Sequence, residues 1–406
     1  MDAPLPIRAG VPQDFNPVME LLLAAFHQNP DPELHDVEQG VFEPDRSLVV
    51  TDGDRVVGHA GAYTRDLTVP GAVLAAAHVT MVAVAPTHRR RGLLTRLMHR
   101  QLRELRDGGE PVAVLWASEG RIYPRYGYGM AAQRLELDVD LRETRVLDPA
   151  DPSAGPGVGS LRVGDPGQLR PDLAAVYERL RPGRPGWSGR DDRWWRDVLA
   201  DSPARQSGQT ALRVVLHDGP TGPDGYALWR TVSDWDAHGP KGRVRVIEAV
   251  AGSVDGYRAL WRFLTGIDLS RALSFRFAAL DEPLFQLVDE PRQLGAALAD
   301  SLWVRLVDVA GDGGNDVYLH YSGQNGCRLT FGAHAAAPEL PGATGGLLVQ
   351  GWGTGGIFYS LIADGMDRGK FSAITALLEE QTRTDDTGNR TVMALREATG
   401  SALPCA

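Results

Sequence analysis

The residues of this chain whose types and spacing carry the most chemistry lie between His78 and Tyr128. Arg89, Arg90 and Arg91 run directly into Gly92, and then the period turns helical. Leu93, Leu94, Leu97, Met98, Leu102 and Leu105 make one face, while Arg96, Arg100, Arg103 and Glu104 lie mainly on the other. The first N–H groups of such a helix have no partners inside it, so with the dipole they attract an anion. Three guanidinium groups add charge, and glycine lets phosphate oxygens approach the backbone. The expectation is a pyrophosphate cradle, since a solvated basic turn does not explain the order of strand, glycine and helix. Neither G-x-G-x-x-G nor G-x-x-x-x-G-K-[ST] occurs here, which sets aside the common nucleotide loops. Downstream, ASEGRIYPRYGYG holds Ser118, Glu119, Tyr123, Tyr126 and Tyr128. A phenol of pKa ~10 can serve as a proton donor at neutral pH. By residue chemistry alone the three tyrosines are nearly equal candidates, and a hydrophobic lid is the plainer reading for Tyr126 and Tyr128.

Positioning these groups takes a short α/β order. Val79, Met81, Val82 and Val84 form an apolar run that Pro86 ends, because proline cannot supply a ladder N–H. Upstream, Ile7 and Arg8 end a first strand, and Asp14 is a candidate N-cap for a helix bearing Phe15, Val18, Met19, Leu22, Leu23 and Phe26. Residues 29–45 are acid-rich, with Asp31, Glu33, Asp36, Glu38, Glu43 and Asp45, and are expected to be mostly solvated. Asp52-Gly53 marks a hairpin between residues 47–51 and 55–63, Pro70-Gly71 marks another strand pair within 65–77, and 112–118 reads as a closing strand.

Arg89-x-x-Gly92 resembles the acyl-coenzyme-A loop, R/Q-x-x-G-x-G/A, of the GNAT superfamily of N-acetyltransferases, with Leu94 standing at its last position. That departure, the run RRRGLL and ASEGRIYPRYGYG resemble one branch, the enhanced intracellular survival proteins, which are aminoglycoside N-acetyltransferases. The resemblance implies a fold in which two parallel strands splay apart to admit the pantetheine arm. It implies acetyl-CoA bound by Val82, Ala83, Val84, Arg90, Arg91, Gly92, Leu93, Leu94, Thr95, Ser118 and Glu119. It selects Tyr123 as the acid that protonates the thiolate, and the terminal carboxylate, here that of Ala406, as the base. The ending SALPCA lacks the family's terminal aromatic residue, so Glu119 acting through water is an alternative base.

With 406 residues, 43% hydrophobic and 23% charged, the chain is expected to form two or three domains. A net charge of −10 argues against nucleic acid and suits a cationic small molecule. Cys327 and Cys405 make no disulfide framework, and no stretch of about 18 uncharged apolar residues occurs, so a soluble, cytoplasmic protein is expected. The scattered histidines give no metal site. The Pro/Gly/Ser segment after Leu147 separates a catalytic unit, 1–147, from a second α/β unit, 158–290. Its expected elements are a strand at 161–163, helices near 173–180 and 194–199, strands at 212–217, 226–231 and 243–250, and a helix at 257–264. The turn before that helix carries Asp255 and no arginine cluster, as expected of a degenerate, coenzyme-free copy. Strands at 301–309, 316–321 and 327–331 open a last unit, 291–406, followed by a glycine-rich stretch and a helix at 373–380. By resemblance this unit is sterol-carrier-protein-like, and the assembly is hexameric. The rival functions are acetylation of a lysine or peptide amine, and non-catalytic binding of acetyl-CoA or an apolar ligand.

Overall fold

The computed structural model describes residues 5–147 and 159–307 throughout and, beyond them, four strands and part of a helical segment up to residue 379. In chain order the first part comprises β1 (Ile7–Ala9), α1 (Phe15–Phe26), α2 (His35–Val41), β2 (Ser47–Asp52), β3 (Arg55–Val69), β4 (Ala72–Val84), α3 (Leu93–Asp107), β5 (Val112–Trp116), β6 (Gly129–Met130) and β7 (Gln133–Asp140). Next come β8 (Ser160–Gly164), α4 (Arg170–Leu180), α5 (Asp192–Leu199), α6 (Pro203–Gln206), β9 (Arg213–Gly219), β10 (Gly222–Val232), β11 (Trp235–Asp236) and β12 (Gly239–Pro240). They are followed by β13 (Gly242–Ala251), α7 (Val254–Thr265), β14 (Ser270–Ala278), α8 (Leu284–Leu287), β15 (Ala297–Asp300) and β16 (Leu302–Leu306). The last described strands are β17 (Val317–Ser322), β18 (Arg328–His334), β19 (Leu348–Thr354) and β20 (Ile357–Asp364).

Two seven-stranded mixed sheets result, ordered β1-β2-β3-β4-β5-β16-β6 and β15-β7-β14-β13-β10-β9-β8, and β17-β18-β20-β19 form a separate antiparallel sheet. The spacing of the leucines in α3 does what it predicts: Leu93, Leu97, Met98, Leu102 and Leu105 are buried against the first sheet. Burying Leu97 and Met98 fully contributes roughly 1.5–3 kcal/mol each. Both expected hairpins form and share β3, which pairs with β2 from Asp52↔Arg55 to Ser47↔Gly61 and with β4 from Val69↔Ala72 to Gly58↔Val84.

Several expectations need correction. Asp14 sits at the N-cap position of α1 without capping it; its carboxylate takes Arg8 at 2.6 and 2.7 Å and the Val11 N–H at 2.8 Å. The acid-rich stretch contains a helix, α2, and Glu43 is built into the fold by the Thr64 N–H and hydroxyl. The expected boundaries at 147 and 291 do not follow the sheets. β7 leaves the first unit and pairs with β14 and β15, while β16 returns from the second unit to lie between β5 and β6. A strand at an edge needs a partner for its backbone groups, and each unit supplies one to the other. The helix at 373–380 and most of the glycine-rich stretch fall largely outside the described residues, and Cys327, Cys405 and Ala406 lie wholly outside them. Among the described residues no helix is long and apolar enough to cross a membrane.

Because β16 covers the edge of β5 at five register positions, residues 5–131 alone lack a partner for that edge. Such a fragment is expected to show no cooperative thermal unfolding. A sharp melt with native-like circular dichroism from the fragment would contradict the strand exchange.

Candidate active site

β4 and β5 are parallel neighbours that pair at only three positions, Ala76↔Val112, Ala77↔Ala113 and His78↔Val114. Past His78 the strands part. On its other side β4 stays bonded to β3 up to Val84, so residues 79–84 present one open backbone edge to the gap. The gap leads toward the N-terminus of α3. Gly92 is the N-cap there with φ +73°, a conformation that strains any L side chain, and no side chain caps the helix. Arg90, Arg91 and Gly92 are exposed at its mouth, and Arg90 also has a left-handed φ of +63°. Arg89 turns back toward the Val84 carbonyl, 3.4 Å from its Nε.

The other predicted residues divide between mouth and wall. Leu93 is buried among Leu48, Val50, Val57, Ala60 and Leu97, so only its backbone is available to a ligand. Thr95 is exposed on the first turn of α3, and its hydroxyl lies 3.3 Å from that of Tyr126. Ser118 and Glu119 are exposed just past β5, across the gap.

Tyr123–Tyr126 forms a 3-10 turn that follows. Tyr123 is 6% exposed and packs edge-on against Tyr128 with centroids 5.9 Å apart. Burial, with smaller contributions from Tyr126 and Glu119, raises its pKa, so the phenol keeps its proton through neutral pH. Tyr128 is sealed in the core, its hydroxyl without a hydrogen-bond partner among the described residues. The three tyrosines, equivalent in the sequence, are all buried and differ in their partners: Tyr128 has no hydrogen-bond partner for its hydroxyl among the described residues, Tyr126 reaches Thr95, and Tyr123 packs on Tyr128. Arg305, on β16, donates to the Tyr126 carbonyl, so the exchanged strand helps to hold this turn.

On the opposite face of the sheet, α2 and the second unit close over β3. Trp194 of α5 lies edge-on to Tyr63 at 4.8 Å, the Arg65 guanidinium stacks 4.1 Å above Trp194, and Arg65 also donates to the Gly189 carbonyl. Ser202 donates to Asp31, and burial raises the pKa of Glu38, which faces Arg205 and Asp197. A cavity of about 340 Å³ between Arg65, Arg181, Arg190 and Trp194 lies beside Ala75, beyond the paired end of β4, and is therefore distinct from the gap.

The second unit repeats the layout with different chemistry. β13 and β14 pair in parallel at five positions, and α7 follows β13. Its N-terminus is capped by its own Ser253, which accepts from Gly256 N at 3.0 Å and donates to Asp224. With Asp255 in the first turn as well, this end repels a phosphate.

Comparison with known proteins finds two acetyltransferase regions in the chain. Residues 6–131 match a family described as an acetyltransferase (GNAT) domain, and residues 186–306 match a second family of the same description. An uncharacterized N-acetyltransferase of Streptomyces avermitilis is 43% identical over 68% of this chain and 67% of its own length. N-acetyltransferase Eis of Mycobacterium tuberculosis is 39% identical over 73% of each chain. The crystal structure of Eis1 from Mycobacterium abscessus superposes with a TM-score of 0.62 at 30% identity, covering 80% of this chain and 82% of that one. Sequence identity of this extent, carried by a structure with two acetyltransferase units, means that the chain belongs to the Eis family of GNAT N-acetyltransferases.

Proposed function

We propose that the first unit transfers the acetyl group of acetyl-CoA to amines of aminoglycosides or related cationic small molecules, with the gap between β4 and β5 as the coenzyme cleft. The observation that carries this reading is the open edge of residues 79–84, aligned with an uncapped, arginine-flanked helix end. Acetyl-CoA is a substrate here and brings the acetyl group as an activated thioester. Backbone groups of Val82, Ala83 and Val84 hold the pantetheine arm like an added strand. N–H groups from Gly92 to Thr95, with Arg90 and Arg91, hold the pyrophosphate, and Ser118 and Glu119 border the arm from β5. A strand N–H near Val84 stabilises the negative charge that develops on the thioester oxygen as the neutral amine attacks, an effect worth ~2.7–4 kcal/mol in other acyl transferases. As the C–S bond breaks, Tyr123 gives its proton to sulfur, leaving the N-acetylated amine and free coenzyme A. Glu119, acting through water, takes the proton lost by the amine.

Support for a cationic acceptor comes from the net charge of −10. The separate sheet β17-β18-β20-β19 is read as part of a sterol-carrier-like unit, and the protein as a cytoplasmic hexamer by analogy with the family.

Gly92→Asp places an anion against the pyrophosphate, and calorimetry is expected to show acetyl-CoA binding weakened by at least about 2 kcal/mol, roughly thirtyfold. Unchanged affinity in a folded variant would remove the cradle. Tyr123→Phe keeps the ring and removes the acid, so kcat should fall at least about tenfold with coenzyme affinity nearly constant, and Tyr126→Phe should cost much less. Since burial moves the Tyr123 pKa upward and its active form is the protonated one, the rate should rise as the amine deprotonates and show no descending limb below about pH 10. A thioester-cleavage assay with kanamycin-like amines and lysine peptides side by side tests the acceptor class: faster turnover of the peptides would favour the protein-acetylating alternative.

A further inference from the structure

His59, on β3, is fully buried and has no role in the steps above. Its Nδ1–H donates to the carbonyl of Met81 at 2.7 Å. Met81 has φ +52°, a left-handed conformation that costs free energy for a residue with a side chain. The register explains why it is there. His59 pairs with Ala83 and Gly61 with Thr80, so Met81 and Val82 both oppose Ala60, and β4 carries a bulge at the start of its open edge.

The bulge decides which way the open edge faces. Before it, Ala77 and Val79 pack toward α3; after it, Val82 packs on that side and Met81 and Ala83 pack toward α1. Strict alternation from Val79 would put Met81 and Ala83 on the α3 side, and Val82 and Val84 on the other, with their N–H groups reversed. A bulge also leaves backbone groups without ladder partners, and buried ones need substitutes. Two side chains supply them: His59 serves Met81, and Gln101, buried on α3, donates to the Gly61 carbonyl at 2.9 Å. Burial holds the His59 pKa at about 4, so the ring is neutral and its single proton sits on Nδ1. Its Nε2 is buried with no hydrogen-bond partner among the described residues. A leucine would fill the same space without that cost, but it would leave the Met81 carbonyl unpaired.

We propose that His59 is a positioning residue for acetyl transfer, holding the β4 bulge so that the strand N–H groups beyond it point at the thioester oxygen. The inference rests on the coenzyme reading of β4. The phosphate-binding loop lies outside the bulge, so His59 should affect what depends on the thioester and spare what depends on the pyrophosphate.

Two amide substitutions separate the donor from the packing. His59→Asn puts an N–H donor near the place of Nδ1, and His59→Gln puts it near the place of Nε2, away from Met81. With Asn, kcat is expected to stay within about threefold of wild type. With Gln, kcat should fall at least about tenfold. The preference for acetyl-CoA over free coenzyme A in calorimetric Kd should shrink at least about fivefold, while the affinity for coenzyme A itself moves less than about twofold. If His59→Gln does not fold, the Asn variant decides: wild-type kcat and preference support the assignment, and their loss overturns it. Asn and Gln behaving alike would overturn it, as would a fall in kcat with the preference unchanged. A wild-type protein that binds neither acetyl-CoA nor coenzyme A would instead overturn the coenzyme reading itself.

Discussion

Everything in the first unit depends on hydrogen bonds that β4 and β5 do not make. A parallel pair that ran its full length would leave nothing for a ligand to bond to and no space between the strands. Here pairing stops at His78↔Val114, and both strands continue. Each must then be held from its far side, because an unsupported strand with one open edge is a poor structural element. β4 is held by a long β3 hairpin and by α3 and α1 on its two faces. β5 is held by β16, which arrives from the second unit some 190 residues later in the chain. The second unit is therefore part of the first unit's scaffold through that strand, through Arg305 on the Tyr126 carbonyl and through Trp194 on Tyr63.

The same layout recurs in the second unit with a different helix end. Both units have a parallel pair followed by a helix in the corresponding place. In one, the helix begins at a glycine with three arginines before it and no cap. In the other, Ser253 accepts from the N–H of Gly256 in the first turn, and Asp224 and Asp255 bring negative charge to that helix end. Local electrostatics at a helix end distinguish the two, where topology does not.

Much of the first site was legible because it is local. Helix α3, Gly92 as the hinge into it, the arginine run and the strand before them are set by residues within 24 positions of one another, and hydrophobic period and turn chemistry suffice to read them. The choice of Tyr123 rested on the family resemblance, since residue chemistry does not separate it from Tyr126 and Tyr128 and all three are buried. Long-range facts were not legible. The exchange of β7 and β16 depends on which edge is unpaired after folding, and no residue type marks it. The helix α2 was hidden by acids that read as solvated, although Glu38 on it is partly buried against α5. His59 lay in a strand pattern that accommodates it on either face, and its partner is a carbonyl made available by a bulge 22 residues away.

The most direct test of the coenzyme assignment is a crystal structure of the protein with coenzyme A or acetyl-CoA bound. It should place the pantetheine amides in hydrogen bonds with the backbone of Val82 and Val84, between β4 and β5, and the pyrophosphate within reach of the N–H groups from Gly92 to Thr95. Coenzyme bound elsewhere, at α7 of the second unit or in the cavity between Arg65 and Arg190, with the β4 edge left open, would contradict it.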